Sequence, residues 1–152
     1  MTTYVSPLTA VGDAVYGVLS ADSTLAALLP GGVQTDVPEN PTYVFLWIEL
    51  IEESQEGGFG PWPGSGSMPA LELRLHAYQS NYGTARDAQI ALARAIELIA
   101  TVDNSGAPTL TVDGYSVWLM AYEQMIPLPN EELNGVKVLE HVARFRIIVE
   151  ET

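Results

Sequence analysis

The sequence contains no cysteine. This absence excludes disulfide bonds, thiolate zinc sites and cysteine nucleophiles, and it is typical of a reducing compartment or of an assembly built without crosslinks. Long apolar runs are also missing, because the longest one, near residues 43–51, is too short to cross a bilayer. The first residues show no basic region followed by an apolar run, so we expect no signal peptide.

Basic residues are scarce as well. Six Lys and Arg residues face 19 Asp and Glu residues, which gives a formal net charge of −13. This balance excludes the basic footprint of a nucleic-acid-binding protein and disfavours binding to an anionic membrane surface. The acidity has two interpretations: it serves solubility alone, or it keeps a surface that lies beside DNA from sticking to it. Charge does not decide between them.

The chain length of 152 residues predicts a single domain, residues 1–152, with one core. Near the N-terminus, Ser6 followed by Pro7 predicts the start of a helix, because Ser is a favoured N-cap and Pro is favoured at the first helical position. Asp22 can cap a second, short helix, which the Pro-Gly-Gly sequence at residues 30–32 ends.

The alanine-rich segment at residues 83–102 has the clearest helix pattern in the chain. Thr84 and Asp87 resemble a capping box at its start, although the usual partner is Glu or Gln. Its Ala, Leu and Ile residues form one stripe, which predicts a helix that packs closely on a sheet.

Strand patterns occupy four segments, at residues 42–53, 71–78, 109–124 and 136–151. The second and fourth alternate between apolar and polar residues, so each has one face toward the core. Asp113-Gly114 in the third predicts a two-residue β-hairpin turn of type I′ between its apolar runs. The order α-β-β-α-β-β predicts an α+β fold: a four-stranded, mainly antiparallel sheet with helices packed on one face.

Catalytic motifs are not evident. His76 and His141 lie in different strands and lack the spacing of metal ligands, so a sheet histidine explains each better than a ligand or a base. The glycine-rich segment at residues 57–66 lacks the Gly-Lys-Ser/Thr ending of a phosphate-binding loop and precedes a strand. We therefore expect no enzyme activity, no metal site and no cofactor.

Two long loops are predicted, at residues 54–69 and 125–135. The first carries large aromatic residues among glycines and prolines. Exposed aromatic residues reduce solubility unless something covers them, either their own domain or a partner protein, for which they are typical anchors. The candidates for protein contacts on the two loops are Phe59, Trp62, Met68, Ile126, Leu128, Glu131 and Glu132.

Almost the whole chain, from about residue 8 to residue 150, resembles the tail-terminator or tail-completion proteins of long-tailed double-stranded DNA bacteriophages and related prophage-derived particles. The resemblance rests on five stretches in order: "AVYGVLSADSTLAALLPGGV", "NPTYVFLWIELIEES", "LELRLHAYQSNYGTARDAQIALARAIELI", "LTVDGYSVWLMAYEQ" and "VLEHVARFRIIVEE". These stretches match by pattern and order, and the family has no catalytic residues to transfer. The loop at residues 54–69 departs from it, because that connection is usually shorter and more charged.

The resemblance implies a structural protein of the virion, made in the cytoplasm of a bacterial host. It would form a ring, typically a hexamer, on the last ring of the tail tube, stop tube polymerisation and join the head-side connector. DNA would pass through without specific binding. Polar sheet residues would lie near the channel or a subunit boundary, or form ordinary cross-strand pairs: Glu72, Arg74, Glu140, Arg144 and Arg146. The alternatives are another neck or tube protein of the same particle and a small α+β enzyme or ligand-binding domain.

Overall fold

A computed structural model of the chain describes residues 6–56, 68–80, 86–133 and 135–152. Its helices and strands follow in chain order as α1 (Pro7–Ala21), α2 (Ser23–Leu28), β1 (Val33–Gln34), β2 (Phe45–Glu56), β3 (Met68–Ser80), α3 (Asp87–Ile99), β4 (Tyr115–Leu133) and β5 (Val136–Glu151). The strands form one mixed sheet in the order β1-β2-β3-β5-β4. The chain is therefore α+β, as predicted.

The prediction of four strands is wrong in detail, because the sheet has a fifth. The four long strands pair antiparallel, but β1 pairs parallel with β2 through two residues, Val33 with Leu46 and Gln34 with Trp47. A strand of two residues is too short to show alternation, so the sequence pattern could not reveal it.

One apolar core joins the three helices to one face of the sheet. The buried residues of β3 and β5 on this face are those that the alternation assigned to it: Leu71, Leu73, Leu75, Ala77, Ala143, Phe145, Ile147 and Val149. They pack with the buried stripes of α1 and α3, where alanine allows close approach. The opposite face, called here the open face, has no helix on it among the described residues.

The first two helices begin where the sequence predicts. The hydroxyl of Ser6 accepts a hydrogen bond from the Thr9 amide (3.3 Å), and the Asp22 carboxylate accepts one from the Leu25 amide (2.8 Å). Asp22 also accepts two hydrogen bonds from the guanidinium group of Arg94, from Nε (3.0 Å) and Nη2 (2.9 Å), which tie the start of α2 to α3.

The start of α3 differs from the prediction. The helix begins at Asp87, its N-cap Arg86 makes no side-chain capping bond, and Thr84 lies outside the described residues. The cap comes from the sheet instead, because the buried Gln79 of β3 accepts a hydrogen bond from the Ala88 amide (2.9 Å). A cap supplied from a distant strand leaves no local sequence signal.

Both predicted loops are shorter than expected. The prediction of a loop at residues 125–135 is wrong, because β4 continues to Leu133, which pairs with Val136 of β5. Only two residues separate these ends, and Gly135 has φ +78°, which suits a tight hairpin turn. Pro127 lies within β4, where proline is tolerated because β4 is an edge strand.

The loop at residues 54–69 is also shortened by strand pairing. The β2–β3 ladder extends to Glu56 opposite Met68, which leaves residues 57–67 outside the described part of the chain. A two-residue turn is present at Asp113-Gly114, since Gly114 has φ +81° and the Tyr115 amide donates to the Val112 carbonyl (3.2 Å). The predicted hairpin is wrong in extent, because residues 109–112 form only the bridge from Val112 to Tyr115 and no strand.

Gly31 allows the chain to enter β1 close to the start of β2. Its amide donates to the Val44 carbonyl (2.9 Å), and a Cβ atom at this position would lie 1.9 Å from the Thr42 carbonyl oxygen. Only a residue without a side chain fits, so glycine here fixes the edge of the sheet.

We predict that Gly31→Ala destabilises the fold by more than about 2 kcal/mol, because the added methyl group meets backbone that cannot move aside. Gly17 is the matched control: it is exposed in α1, and a Cβ atom there meets nothing within 4 Å. Gly17→Ala should stabilise the protein by about 0.5–1 kcal/mol. Urea unfolding of both variants measures the difference, and equal stability of the two would contradict the account of Gly31.

Candidate functional site

The open face brings together the polar residues that the sequence singled out. The register of β3 and β5 places Glu72 opposite Arg146, Arg74 opposite Arg144 and Tyr78 opposite Glu140. Three of the six basic residues of the chain therefore lie on two adjacent strands of one face. The alternation predicted this face correctly, but it could not show which charges form pairs.

Glu72 lies at the centre of an ion-pair network. Its carboxylate accepts hydrogen bonds from Nε and Nη2 of Arg74 (both 3.2 Å) and from Nε of Arg144 (2.6 Å). Arg74 also donates from Nη1 to Glu49 on β2 (3.3 Å). One buried carboxylate thus holds two arginines that face each other across the ladder, where their like charges would otherwise repel.

The network changes the acidity of its members. Burial raises the pKa of the Glu72 carboxyl, but the hydrogen bonds and charges of Arg74 and Arg144 outweigh it, so the pKa lies below the ordinary value. The hydrogen bonds to Glu72 in turn raise the pKa of Arg74, although burial opposes this effect. Glu72 is therefore charged at neutral pH, and both arginines are held by it.

His76 extends the network toward one end of the sheet. It is buried, its Nδ1 contacts the Glu140 carboxylate (2.5 Å), and its Nε2 lies 3.4 Å from Glu49. Because a carboxylate only accepts hydrogen bonds, the Nδ1 atom donates to Glu140. The Trp47 ring stacks on the imidazole with centroids 4.4 Å apart. The arrangement is that of a sheet histidine held by its neighbours.

An aromatic cluster covers this end of the open face. Phe45 stacks on Tyr78 with centroids 4.8 Å apart, Val138 is buried beside them, and Tyr43 packs on Phe45 at 5.8 Å. This second cluster explains why the first half of β2 is apolar on both faces. One side of it meets the helices, and the other side builds the cluster.

The candidates for protein contacts are divided by the structure. Ile126 and Leu128 lie on β4 opposite Val142 and Glu140, so they border the ion-pair network on the open face. The exposed Glu132 lies opposite Lys137 near the turn between β4 and β5.

Two of the remaining candidates lie on strands, and two lie outside the described residues. The backbones of Met68 and Glu131 belong to strands, opposite Glu56 and Val138 respectively. Phe59 and Trp62 lie outside the described residues.

An apolar patch on β4 was missed by the sequence reasoning. Trp118, Leu119 and Tyr122 are 60%, 37% and 40% exposed, and we call these three residues the β4 patch. Leu119 pairs with Ile148 and so lies on the open face, whereas Tyr122 packs against Phe145 on the helix side, with ring centroids 5.5 Å apart. The sequence signal that could have indicated this patch is the run of eight uncharged residues at 115–122 in a strongly acidic chain.

Other kinds of site find little support in the part of the chain that the structure describes. These residues contain no group of three or more His, Asp or Glu side chains that could hold a metal ion. None of the described helices is long and apolar enough to span a bilayer. A groove of about 510 Å³ lies between α1 and the strands β1 and β2, and its lining includes Asp13, Tyr16 and Gln34.

We predict that Glu72→Gln lowers the free energy of unfolding at pH 7 by about 1 kcal/mol, because two arginines lose their charged partner. Water screens part of the loss, since the Arg74 and Arg144 side chains are about a third exposed (36% and 31%). A lowered carboxyl pKa stabilises the fold above the unfolded-state pKa, so the gap from wild type should narrow as pH falls below 4.5.

The matched control for this prediction is Glu97→Gln. Glu97 pairs with Arg94 at 3.3 Å, but its side chain is 72% exposed, so the change should have little effect. Urea unfolding at pH 3.5 to 7 compares the three proteins. A constant gap between wild type and Glu72→Gln across this range would contradict the ionised role of Glu72.

The chain matches no protein-family model and no curated protein sequence. Among solved structures it shares its fold with a chain of the "Virion of native gene transfer agent (GTA) particle", with a TM-score of 0.69 and 18% sequence identity. The superposition covers 96% of this chain and 99% of that chain. The likeness therefore concerns the whole architecture of both chains and not a shared fragment.

Proposed function

We propose that the protein is a structural component of a phage-like virion that caps the head-proximal end of the tail tube as a hexameric ring. The ring stops polymerisation of the tube and provides the surface to which the head-side connector or neck protein binds. DNA passes through its channel without specific binding. The protein makes and breaks no covalent bonds in this role.

The observation that carries the proposal is the likeness in fold to a chain of a gene transfer agent virion over almost the full length of both. Fold alone does not assign a function, because one fold serves many roles. The independent support comes from the sequence, whose five ordered stretches resemble tail-terminator proteins, and from the uncovered surfaces of a small domain. Together these favour a protein that works by contact with copies and partners.

The charge distribution suits a ring around DNA. Six copies carry six times the net charge of −13, and an acidic wall repels phosphate. Arg74 and Arg144 on the open face are held by Glu72 and Glu49, so their charges are neutralised within the sheet. If this face lines the channel, as we propose, Arg74 and Arg144 offer DNA no free cationic groups.

Two other roles compete with the proposal. Another neck or tube protein of the same particle would use the same ring chemistry at a different position, and the stage at which assembly stops without the protein separates the two. A ligand-binding domain would use the groove beside α1. The ion-pair network on the open face and the β4 patch favour a protein that binds other proteins over a ligand-binding domain.

We predict that the purified protein forms a hexamer or a monomer–hexamer mixture, visible as rings in negative-stain electron micrographs and as a sixfold mass by light scattering. Particles made without it should accumulate tubes of uncontrolled length that do not join heads. A stable dimer at high concentration, or tubes of normal length in its absence, would overturn the proposal.

Deletion of residues 57–66 tests whether Phe59 and Trp62 contact other proteins, as predicted. We predict that deleting it leaves the domain folded, by circular dichroism, but reduces the number of infectious or complete particles. A second variant with both aromatic residues changed to serine keeps the length of the segment and isolates the part played by the rings. Normal particle yields from both variants would remove this segment from the assembly surface.

A further inference from the structure

No described strand lies along the outer edge of β4. β4 is the last strand of the sheet, and within the described part of the chain it pairs with β5 on one side only. An open edge presents unpaired backbone N–H and C=O groups, which pair readily with another strand. Such an edge is usually protected by charge, proline or bulges.

The protection of this edge is uneven. The C-terminal half of β4 carries Pro127 and Pro129, but residues 115–122, in its N-terminal half, contain neither proline nor a charged residue. The β4 patch lies in this uncharged half. Bulges interrupt the register between Val117 and Leu119 and between Tyr122 and Gln124. The stretch of regular strand backbone that could pair with a partner is therefore short. Exposed side chains must then supply much of the contact.

The opposite edge of the sheet is also largely open. β1 pairs with only two residues of β2, Leu46 and Trp47. From Ile48 to Glu56 no described strand pairs with the outer side of β2. Among the residues that the structure describes, the sheet therefore has long open edges on both sides.

The directions of the strands make these two edges compatible. Three antiparallel pairings separate β2 from β4, so the two edge strands run in opposite directions. Rotation about a ring axis that runs along the strands preserves direction. β4 of one copy then meets the open part of β2 in the next copy antiparallel, and the alternation continues around a closed ring, which covers that part of both edges.

We propose that β4, through the patch formed by Trp118, Leu119 and Tyr122, binds the outer edge of β2 in a second copy of this chain. This inference rests on the ring of the proposed function and names the surface that builds it. Charge favours the arrangement. The uncharged half of β4 can lie against the acidic half of β2, which includes Glu49, Glu52 and Glu53, without placing like charges together.

The first test places a negative charge on the edge. Leu119→Asp should raise the protein concentration at half assembly at least tenfold, because a carboxylate at position 119 would lie against the acidic half of β2 in the next copy. Ile90→Asp and Val102→Asp are matched controls that add the same charge on other surfaces, where the side chains are 47% and 51% exposed, and both should assemble as wild type.

The second test uses the absence of cysteine, which makes engineered thiols the only ones present. Gln124→Cys is placed on β4 and Ile51→Cys on β2, each in a separate chain. A short flexible bis-maleimide should join chains in the mixture of the two variants. It should join few chains in either variant alone.

The outcomes separate this inference from the proposed function. Rings that form at wild-type concentration in all three aspartate variants would overturn the β4 contact and leave the ring intact. Efficient crosslinking of Gln124→Cys with itself would indicate a β4–β4 dimer and overturn the head-to-tail contact. A wild-type protein that forms no ring at any concentration or on tube ends would overturn the proposed function itself.

Discussion

In the part of the chain that the structure describes, all helices pack on one face of the sheet, and most features of this protein follow from that one-sided arrangement. The three helices cover one face through the leucine and alanine rows of β3, β5 and α3. The open face must then be stabilised without a second layer. It is covered by its own side chains: an aromatic cluster around Phe45 at one end and carboxylate–arginine pairs around Glu72 in the middle. Charged groups can be buried there because each one has its partner on a neighbouring strand.

The alternation of residues predicted which side chains lie on each face, because period 2 leaves little choice once one face is buried. The local capping signals at Ser6 and Asp22 were sufficient to predict where α1 and α2 begin. The errors have physical causes. Pro127 and Pro129 suggested a loop, but proline is compatible with an edge strand, and Asn134-Gly135 in the sequence was the stronger signal for a turn.

Features that depend on tertiary contact could not be predicted. The Gln79 cap of α3 comes from a strand, and the short β1 depends on the close approach of Gly31 to Thr42. The candidate site was predicted only in part, because its ion pairs also depend on tertiary contacts. Composition and alternation identified the charged residues of the open face, whereas the pairing of Glu72 with two arginines depends on the register of β3 and β5. The β4 patch required knowledge that β4 is an edge, which the sequence alone does not give.

The ion-pair network also bears on where contacts with other proteins form. It ties β2, β3 and β5 together through Glu49, Arg74, Glu72 and Arg144, but on β4 the register places an uncharged residue, Gln124, opposite Arg144. The contact between Arg144 and Glu123 is 3.9 Å long and its side chains are 31% and 41% exposed, so it adds little. β4 is tied to β5 by backbone pairing, by the hydrogen bond that Trp118 Nε1 donates to Glu150 (2.7 Å) and by apolar contacts. A partner strand on its outer side would give β4 the second ladder that the interior strands already have, so assembly would stabilise β4 on the side where the described chain offers it no strand.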